Sequence, residues 1–427
     1  MENGKKPKKE LQKKKKTGIK ERENAKEEIN MKLMEFESNA NQIKKPNKKR
    51  ILIVSAIAFL LVILAVIGCV YIANKPFRNW MDQYVFRKNV EENNLPTIEL
   101  TEEGNQTIYA YDKYIAVLEK NVLTQYNSSG KKESELKIEI NNPIMESNGR
   151  FLAIAEKEKQ KVYLISGSNI VWEKEVEGTI SRVNINRNGY VSVILTGTTY
   201  KSIIVLYDQT GKELFKIYLS DTLAVDSDIS MDNKYLAFAE INTSGTLIQS
   251  TIKIVSVEKA KQSPSESIIY TYQANANSLV LNIKYQEKNK LVCMYDDAIH
   301  TIQDKEEEQI INLKEDNLKI SFSDIELSGY AIRIVEKASG LFKANHQIEM
   351  MNINTKKENI YTIEGIAKTI SCYENVIAIN LGSEVQFIDT NGWLIKQYSS
   401  SQEIKKIILC GNLAGIVYRD KIELISL

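Results

Sequence analysis

The sequence predicts an all-β fold, an eight-bladed β-propeller with seven blades as the alternative, behind a single N-terminal transmembrane helix and a disordered basic tail. Three observations support this fold: an uncharged run from Ile51 to Asn74, an abrupt change from lysine-rich to strand-like sequence, and a recurring strand pattern. We therefore assign residues 1–50 to a cytoplasmic tail and 51–74 to the span. Residues 75–94 form a juxtamembrane amphipathic helix and linker, and residues 95–427 form an extracytoplasmic propeller.

The uncharged run is long enough to cross a bilayer as a helix. At about 1.5 Å per residue it spans roughly 36 Å, against a hydrocarbon core of about 30 Å. Residues 1–50 contain 17 Lys and Arg and 8 Glu, whereas the chain after the span contains 40 basic and 47 acidic residues. Because lysine-rich segments stay in the cytoplasm, we expect a single-pass protein of the cell membrane with its N-terminus inside.

The lysine clusters of the tail also predict which partners it meets. They lie close to the span and have no interleaved aromatic residues, so they favour anionic lipid headgroups over nucleic acid. Gly68-Cys69 resembles a lipoprotein processing site, which leaves cleavage and lipidation at Cys69 as an alternative to an uncut anchor. The other three cysteines lie in apolar strand-like runs and are expected to be buried free thiols.

Aromatic residues follow the span at helical spacing. Phe77, Trp80 and Tyr84 fall on one helical face, and a Trp and a Tyr on such a face are typical of the headgroup level of a membrane. We therefore predict a membrane-interface role for these three side chains. Packing of the same face against the outer domain is an equal alternative.

From about Leu95 the chain consists of short Ile-, Val-, Tyr- and Leu-rich runs broken by Asn, Asp, Gly and Ser, a pattern typical of strands and turns. One apolar strand recurs eight times, with successive starts 37, 39, 45, 56, 40, 45 and 38 residues apart, at Tyr114, Phe151, Tyr190, Tyr235, Leu291, Ala331, Val376 and Ala414. A period near 40 residues with about four strands indicates a propeller. The 56-residue spacing leaves the blade count open.

The last repeat predicts how the ring closes. It ends in the strand-like segment 421–427, which is only the third strand of its unit. Residues 96–100 are strand-like and precede the innermost strand of the first unit, predicted at 107–111. We expect this segment to complete the last blade, so that neither end leaves an exposed strand edge.

The turns carry a resemblance to a known family. Tyr207-Asp208-Gln209-Thr210-Gly211, followed by Phe215, resembles the strand-turn-strand unit of the quinoprotein-like and WD40-like propellers, and residues 167–172 and 389–392 are looser copies. The whole chain is similar to a family of membrane-anchored propellers of Gram-positive bacteria. Quinoprotein dehydrogenases carry a docking tryptophan in most blades, but only Trp172 occupies that position here. The resemblance therefore implies the fold without quinone chemistry.

Catalytic and metal-binding motifs are not found, so we expect a non-enzymatic protein without a cofactor. The two histidines, His300 and His346, lie near no nucleophilic or acidic motif; we expect His300 in a strand and His346 on a solvent-exposed loop. Acidic pairs such as Asp296-Asp297 lack the spacing that wraps a calcium ion.

The loops between the second and third strands of each blade predict a binding surface. Three of them carry large apolar residues that are exposed on a loop tip: Tyr200, Leu247, and the pair Leu341 and Phe342. Packing of these residues back onto the propeller rim is the alternative. We expect a protein-binding or envelope-assembly scaffold whose partner binds this face. A sensor that relays ligand binding to the tail is the second hypothesis, and a propeller enzyme the third.

Overall fold

The computed structural model describes residues 26–36, 48–86, 88–90, 95–101, 106–197, 199–315, 318–339 and 343–427. It divides into two units, Met1–Val85 and Phe86–Leu427, which are described separately. The first unit is helical in its described residues. The second contains the strands, and it confirms the predicted all-β, eight-bladed propeller.

The first unit contains helix α1 over residues 26–36, α2 (Lys48–Ala73), α3 (Lys75–Trp80) and a π-helical turn (Met81–Val85). Within α2, the segment Leu52–Ala73 is long and apolar enough to cross a membrane. The helix continues past Cys69. Asn74 separates α2 from α3 and caps the latter, because its side-chain oxygen accepts a hydrogen bond of 2.9 Å from the Phe77 amide.

In the described part of the second unit, 33 strands form eight sheets, and these are the eight blades. Two short strands precede the first blade: β1 (Asn89–Val90) and β2 (Thr97–Glu99). Blade 1 contains β3 (Thr107–Tyr111), β4 (Tyr114–Glu119), β5 (Val122–Tyr126) and β6 (Lys132–Lys137). Blade 2 contains β7 (Pro143–Asn148), β8 (Phe151–Glu156), β9 (Lys161–Ser166) and β10 (Asn169–Glu175).

Blade 3 contains β11 (Thr179–Ile185), β12 (Val191–Thr196), β13 (Ser202–Tyr207) and β14 (Glu213–Leu219). Blade 4 contains β15 (Leu223–Ile229), β16 (Tyr235–Asn242), β17 (Gln249–Ser256) and β18 (Ile268–Gln273). Helix α4 (Val257–Ala260) and a 3₁₀ turn (Pro264–Glu266) lie between β17 and β18. This insertion, together with the loop at 243–248, accounts for the long repeat spacing, so the seven-blade alternative is excluded.

Blade 5 contains β19 (Val280–Tyr285), β20 (Leu291–Tyr295), β21 (Ala298–Gln303) and β22 (Glu306–Asn312). Blade 6 contains β23 (Lys319–Asp324), β24 (Tyr330–Ser339), β25 (Lys343–Asn352) and β26 (Glu358–Ile363). Blade 7 contains β27 (Thr369–Tyr373), β28 (Val376–Asn380), β29 (Glu384–Asp389) and β30 (Leu394–Ser399). Blade 8 contains β31 (Lys406–Cys410), β32 (Leu413–Val417) and β33 (Lys421–Ser426).

The N-terminal strand β2 completes blade 8, as predicted. It runs antiparallel to β33, with Ile98 opposite Ile422. Ile98 is buried in the cluster that joins blade 8 to blade 1, beside Ile108 and Val117. The ring is therefore closed by a strand from the opposite end of the propeller sequence, which covers an edge that could otherwise pair with another chain.

Blade 7 gains a fifth strand from the segment that sequence analysis assigned to the linker. Strand β1 pairs in parallel with β30, with Asn89 opposite Gln397 and Val90 opposite Tyr398. The chain that enters the propeller thus contacts blade 7 first and blade 8 next.

Turns between the third and fourth strands of blades 1, 3 and 7 have one geometry. An Asn or Asp side-chain oxygen accepts hydrogen bonds from the backbone amides two and four residues later, and a glycine with positive φ follows at the third position: Asn127 and Gly130, Asp208 and Gly211, Asp389 and Gly392. At Gly211 an added Cβ would lie 2.8 Å from Cγ of Trp172 in blade 2. The quoted turn motif therefore also sets the packing between two blades.

Candidate functional site

The loops predicted to bind a partner share one side of the ring. Successive antiparallel strands reverse direction, so the loops between second and third strands lie on the same side as the connections between blades. We call this side the loop face. It includes 197, 199–201, 220–222, 243–248, 274–279, 296–297 and 313–315.

Tyr200 packs sideways against its own blade. Its ring lies 4.7 Å from the ring of Tyr218 on β14, centroid to centroid. The adjacent Lys201 Nζ donates a 2.9 Å hydrogen bond to the carbonyl of Asp221, in the connection to blade 4. The loop of blade 3 is thereby joined to the start of blade 4.

Leu247 is 54% exposed, and its neighbour Ile248 is 42% exposed. Leu223, at the start of β15, is 39% exposed and lies opposite Ile241 in the register of β15 and β16. We call Tyr200, Tyr218, Leu223, Leu247 and Ile248 the loop-face patch. The sequence pattern did not predict Tyr218 and Leu223 as part of this surface, because both lie in strands and periodicity does not reveal which strand ends are exposed.

Leu341 and Phe342 lie outside the described residues. The membrane-interface prediction falls on the helical unit, where the rings of Phe77 and Trp80 are stacked with centroids 6.0 Å apart. Trp80 is 51% exposed. Tyr84 lies in the π-helical turn.

A second candidate site, which sequence analysis missed, is the central channel. Inner strands and adjoining turns of all eight blades surround a cavity of about 1000 Å³. Charged side chains from distant parts of the sequence line it: Glu146, Asp228, Lys284, Asp324, Glu326 and Lys406. No local motif in the sequence indicates such a site, because these six groups come from five different blades, with at most two from any one of them.

Lys284 connects three blades across this channel. Its ammonium on blade 5 lies 3.0 Å from Glu326 of blade 6 and 3.7 Å from Glu146 of blade 2. Blades 2 and 5 are not neighbours, so the contact with Glu146 passes through the channel. The Glu326 side chain faces the lumen of the channel, so 41% of its surface stays accessible even though the blades enclose the channel on all sides. The network therefore narrows the channel.

Two aspartates of β15 bind the inner strand of the next blade. Asp226 Oδ2 accepts a 2.9 Å hydrogen bond from the Ile283 amide, and Asp228 Oδ2 accepts one of 2.6 Å from the Tyr285 amide. These amides belong to an inner strand that has no further strand beside it, so the carboxylates satisfy donors that would otherwise remain unpaired. Arg182 of blade 3 in turn contacts Asp226 at 2.7 Å.

Burial changes the acidity of these groups. It raises the pKa of Asp228 to about 7 and that of Asp324 to about 6, and it also raises the pKa of Glu146 and Asp226 against the opposing charges of Lys284 and Arg182. Burial would raise the pKa of Glu326 as well, but the charge and hydrogen bond of Lys284 lower it. The channel thus contains more carboxyl groups than its cations can neutralise.

Neither histidine belongs to a metal-binding cluster in the part of the chain that the structure describes. His300 lies on β21, as expected, with Nδ1 2.9 Å from Glu307 Oε1. The exposed loop expected for His346 is wrong: the residue lies on β25 and is buried, because β24 and β25 extend the hairpin beyond the predicted strands. Among the described residues, no cluster of three or more His, Cys, Asp or Glu could hold a metal ion.

Comparison with known proteins gives a family. Residues 87–427 match the family described as "Family of unknown function (DUF5711)". No curated protein matches the chain.

Three solved structures illustrate the similarity in fold. BamB from Moraxella catarrhalis is 10% identical, with a TM-score of 0.46 over 78% of this chain and 96% of that chain. The Dos1 propeller is 11% identical, with a TM-score of 0.47 over 70% and 81%. Kuenenia stuttgartiensis hydrazine synthase is 11% identical, with a TM-score of 0.42 over 79% and 97%. At these identities the similarity concerns the architecture alone.

Proposed function

Because the chain belongs to this family of unknown function, DUF5711, we propose its function from its own surfaces: a membrane-anchored scaffold that binds a protein partner at the loop face. The propeller stands outside the cell membrane and the lysine-rich tail inside. The candidate span in α2 and the charge difference between the two parts of the chain support this orientation.

The loop-face patch is the observation that carries the proposal. Leu247 and Ile248 place two large apolar side chains next to each other on a loop, with Leu223 at the start of the same blade. Exposed apolar groups gathered on a loop face favour a protein interface, in which a few buried side chains supply most of the binding energy. Apolar contact area of this kind requires no catalytic group.

Photo-crosslinking in living cells tests the proposal. A photoreactive amino acid at Leu247 is expected to capture a specific partner, because that side chain would be buried in the interface. The matched control is Thr210, an exposed turn residue of blade 3 on the opposite side of the ring. Identical capture at both positions, or none at Leu247, would refute a loop-face interface.

A double substitution, Leu247→Ser with Ile248→Ser, tests the energetics. We expect at least a tenfold loss of the captured complex with little change in melting temperature, since both side chains are exposed in the free protein. A large fall in melting temperature would instead show that these residues stabilise the propeller.

A further inference from the structure

A polar pocket borders the loop-face patch. It occupies about 240 Å³ between the end of blade 4 and the adjoining strands of blade 5. Ala274, which lines it, donates a 3.0 Å hydrogen bond to the carbonyl of Ser250, and Ser250 Oγ accepts one of 3.0 Å from the Val280 amide. Ser250 is buried and two residues from Ile248, so the exposed loop of blade 4 leads directly into the strand that holds the wall of the pocket in place.

Two carboxylates lie in the pocket. Asp297 accepts a hydrogen bond of 2.5 Å from Ser278 Oγ, and Glu307 lies 2.9 Å from His300 Nδ1 and 3.3 Å from the Tyr295 hydroxyl. Among the described residues, neither carboxylate is within salt-bridge distance of a lysine or arginine. A partly buried carboxylate without a cation gains from the arrival of one.

The lysine that lines the pocket is already paired. Lys314 Nζ lies 2.9 Å from Asp296 Oδ2, outside the set of lining residues. Burial, together with the charge of Glu307, raises the pKa of Tyr295, so its hydroxyl stays a donor to Glu307. Lys314 also attracts Asp297 electrostatically, but its direct contact is with Asp296, so no lysine or arginine contacts Asp297 or Glu307 directly in the described part of the pocket.

The size and chemistry of the pocket suit a single basic side chain. Its volume is below the roughly 300–1000 Å³ of sites that enclose drug-sized ligands. A guanidinium group presents five donors in a planar fork that matches carboxylate oxygens, and the polar residues Gln273 and Gln309 belong to the same lining.

We propose that this pocket receives an arginine side chain of the protein partner, while neighbouring apolar residues of that partner pack on Leu247 and Ile248. The inference rests on the proposed function and specifies it: the partner presents a basic residue beside apolar ones. Electrostatic attraction to Asp297 and Glu307 sets the register of the complex, and the apolar contacts supply most of the area.

Peptide binding to the full chain in zwitterionic nanodiscs tests the proposal. The probes are the capped peptides acetyl-Leu-Arg-Leu-amide and acetyl-Leu-citrulline-Leu-amide, which have nearly the same shape but differ in charge. We expect the arginine peptide to bind about tenfold more tightly, with an affinity that falls as salt rises. Equal affinities, or no binding of the arginine peptide up to millimolar concentration, would overturn the proposal.

Substitutions locate the binding. Asp297→Asn with Glu307→Gln keeps the hydrogen-bond acceptors but removes both charges, and we expect it to reduce arginine-peptide affinity to that of the citrulline peptide. The matched control is Glu308→Gln, on the opposite face of the same strand, where Glu308 pairs with Lys356 at 2.9 Å. Retention of the arginine preference in the double variant would place the peptide elsewhere and refute the pocket.

Crosslinking from Leu247 separates the two proposals. If a partner is captured equally by the wild-type protein and the double variant, the loop-face interface stands and the arginine pocket fails. If no partner is captured although the arginine peptide binds at the pocket, the site recognises a free small cation and the proposed scaffold function fails with the partner part of this inference.

Discussion

At the scale of single residues, the channel carboxylates are the groups whose chemistry differs most from that of surface side chains. Asp228 is buried against β19, where its carboxylate accepts a hydrogen bond from the Tyr285 amide. Burial raises its pKa in the folded protein to about 7, above the ordinary value of 3.8. The folded protein therefore holds this proton more tightly than the unfolded chain does. Such a group stabilises the fold fully below its unfolded pKa, and that stability is lost as pH rises through the folded pKa.

Asp228→Asn should accordingly reduce the loss of stability between pH 5 and pH 8 by an amount on the order of 3 kcal/mol, because asparagine cannot ionise but keeps an acceptor for the Tyr285 amide. Melting temperatures of the full-length protein across this pH range measure the effect. Asp208→Asn is the control of opposite sign. Burial would raise the pKa of Asp208, but hydrogen bonds from Thr210 and Lys212 lower it, so this variant should lose stability near neutral pH. An unchanged pH profile for Asp228→Asn would contradict the assignment.

At the scale of elements, the closing strand decides whether the ring is continuous. Strand β2 has only three residues, yet Ile98 is 2% exposed, and Gly130 of blade 1 lies so close to Thr97 that an added Cβ would be 2.8 Å from its carbonyl oxygen. The strand therefore contacts β33 through hydrogen bonds and blade 1 through packing. A short segment can have a large effect here because it joins the two ends of the ring.

Deletion of residues 95–100, or the substitution Ile98→Asp, is expected to lower the melting temperature strongly and to speed proteolysis near blades 8 and 1. Burying a charge where an isoleucine packed destabilises by more than about 3 kcal/mol. Glu99→Gln, at an exposed position of the same strand, should have almost no effect. If the deleted protein melts and resists protease like the wild type, β2 does not close the ring in solution.

At the scale of the whole molecule, the proposed scaffold depends on which side of the membrane each unit occupies. Single introduced cysteines can test this with a membrane-impermeant maleimide. Thr210→Cys, on an exposed turn of the propeller, should react in intact cells. Lys32→Cys, on the exposed helix α1, should react only after the membrane is permeabilised.

The wild-type chain is the background control for this labelling: Cys293 and Cys410 are buried, Cys69 lies within the candidate span, and the partly buried Cys372, which lines the channel, sets the background that must be subtracted. The reverse labelling pattern would place the propeller in the cytoplasm and would refute an extracytoplasmic scaffold. It would leave the loop-face patch itself unaffected.

The span, the blades and the closure of the ring could be predicted from the sequence, because each depends on a pattern that can be read along the chain. The span follows from one uncharged run, and the blades follow from strands and turns that recur near every 40 residues. Closure by residues 96–100 was also predictable, since a last repeat with three strands requires a fourth. The buried position of His346 was not, because the length of the β24–β25 hairpin depends on pairing between strands rather than on the residues beside it.

By itself, the sequence determined the architecture: a basic tail, a candidate span, and a closed ring of repeated four-stranded blades. Only the tertiary structure decided which charges meet, since Lys284 reaches Glu146 and Glu326, and which loops adjoin the pocket at Asp297 and Glu307. The physical reason is that a strand pattern depends on residues that are neighbours along the chain. A channel or a surface pocket depends instead on how the blades pack, because packing brings residues that are distant in the sequence to the same axis or face.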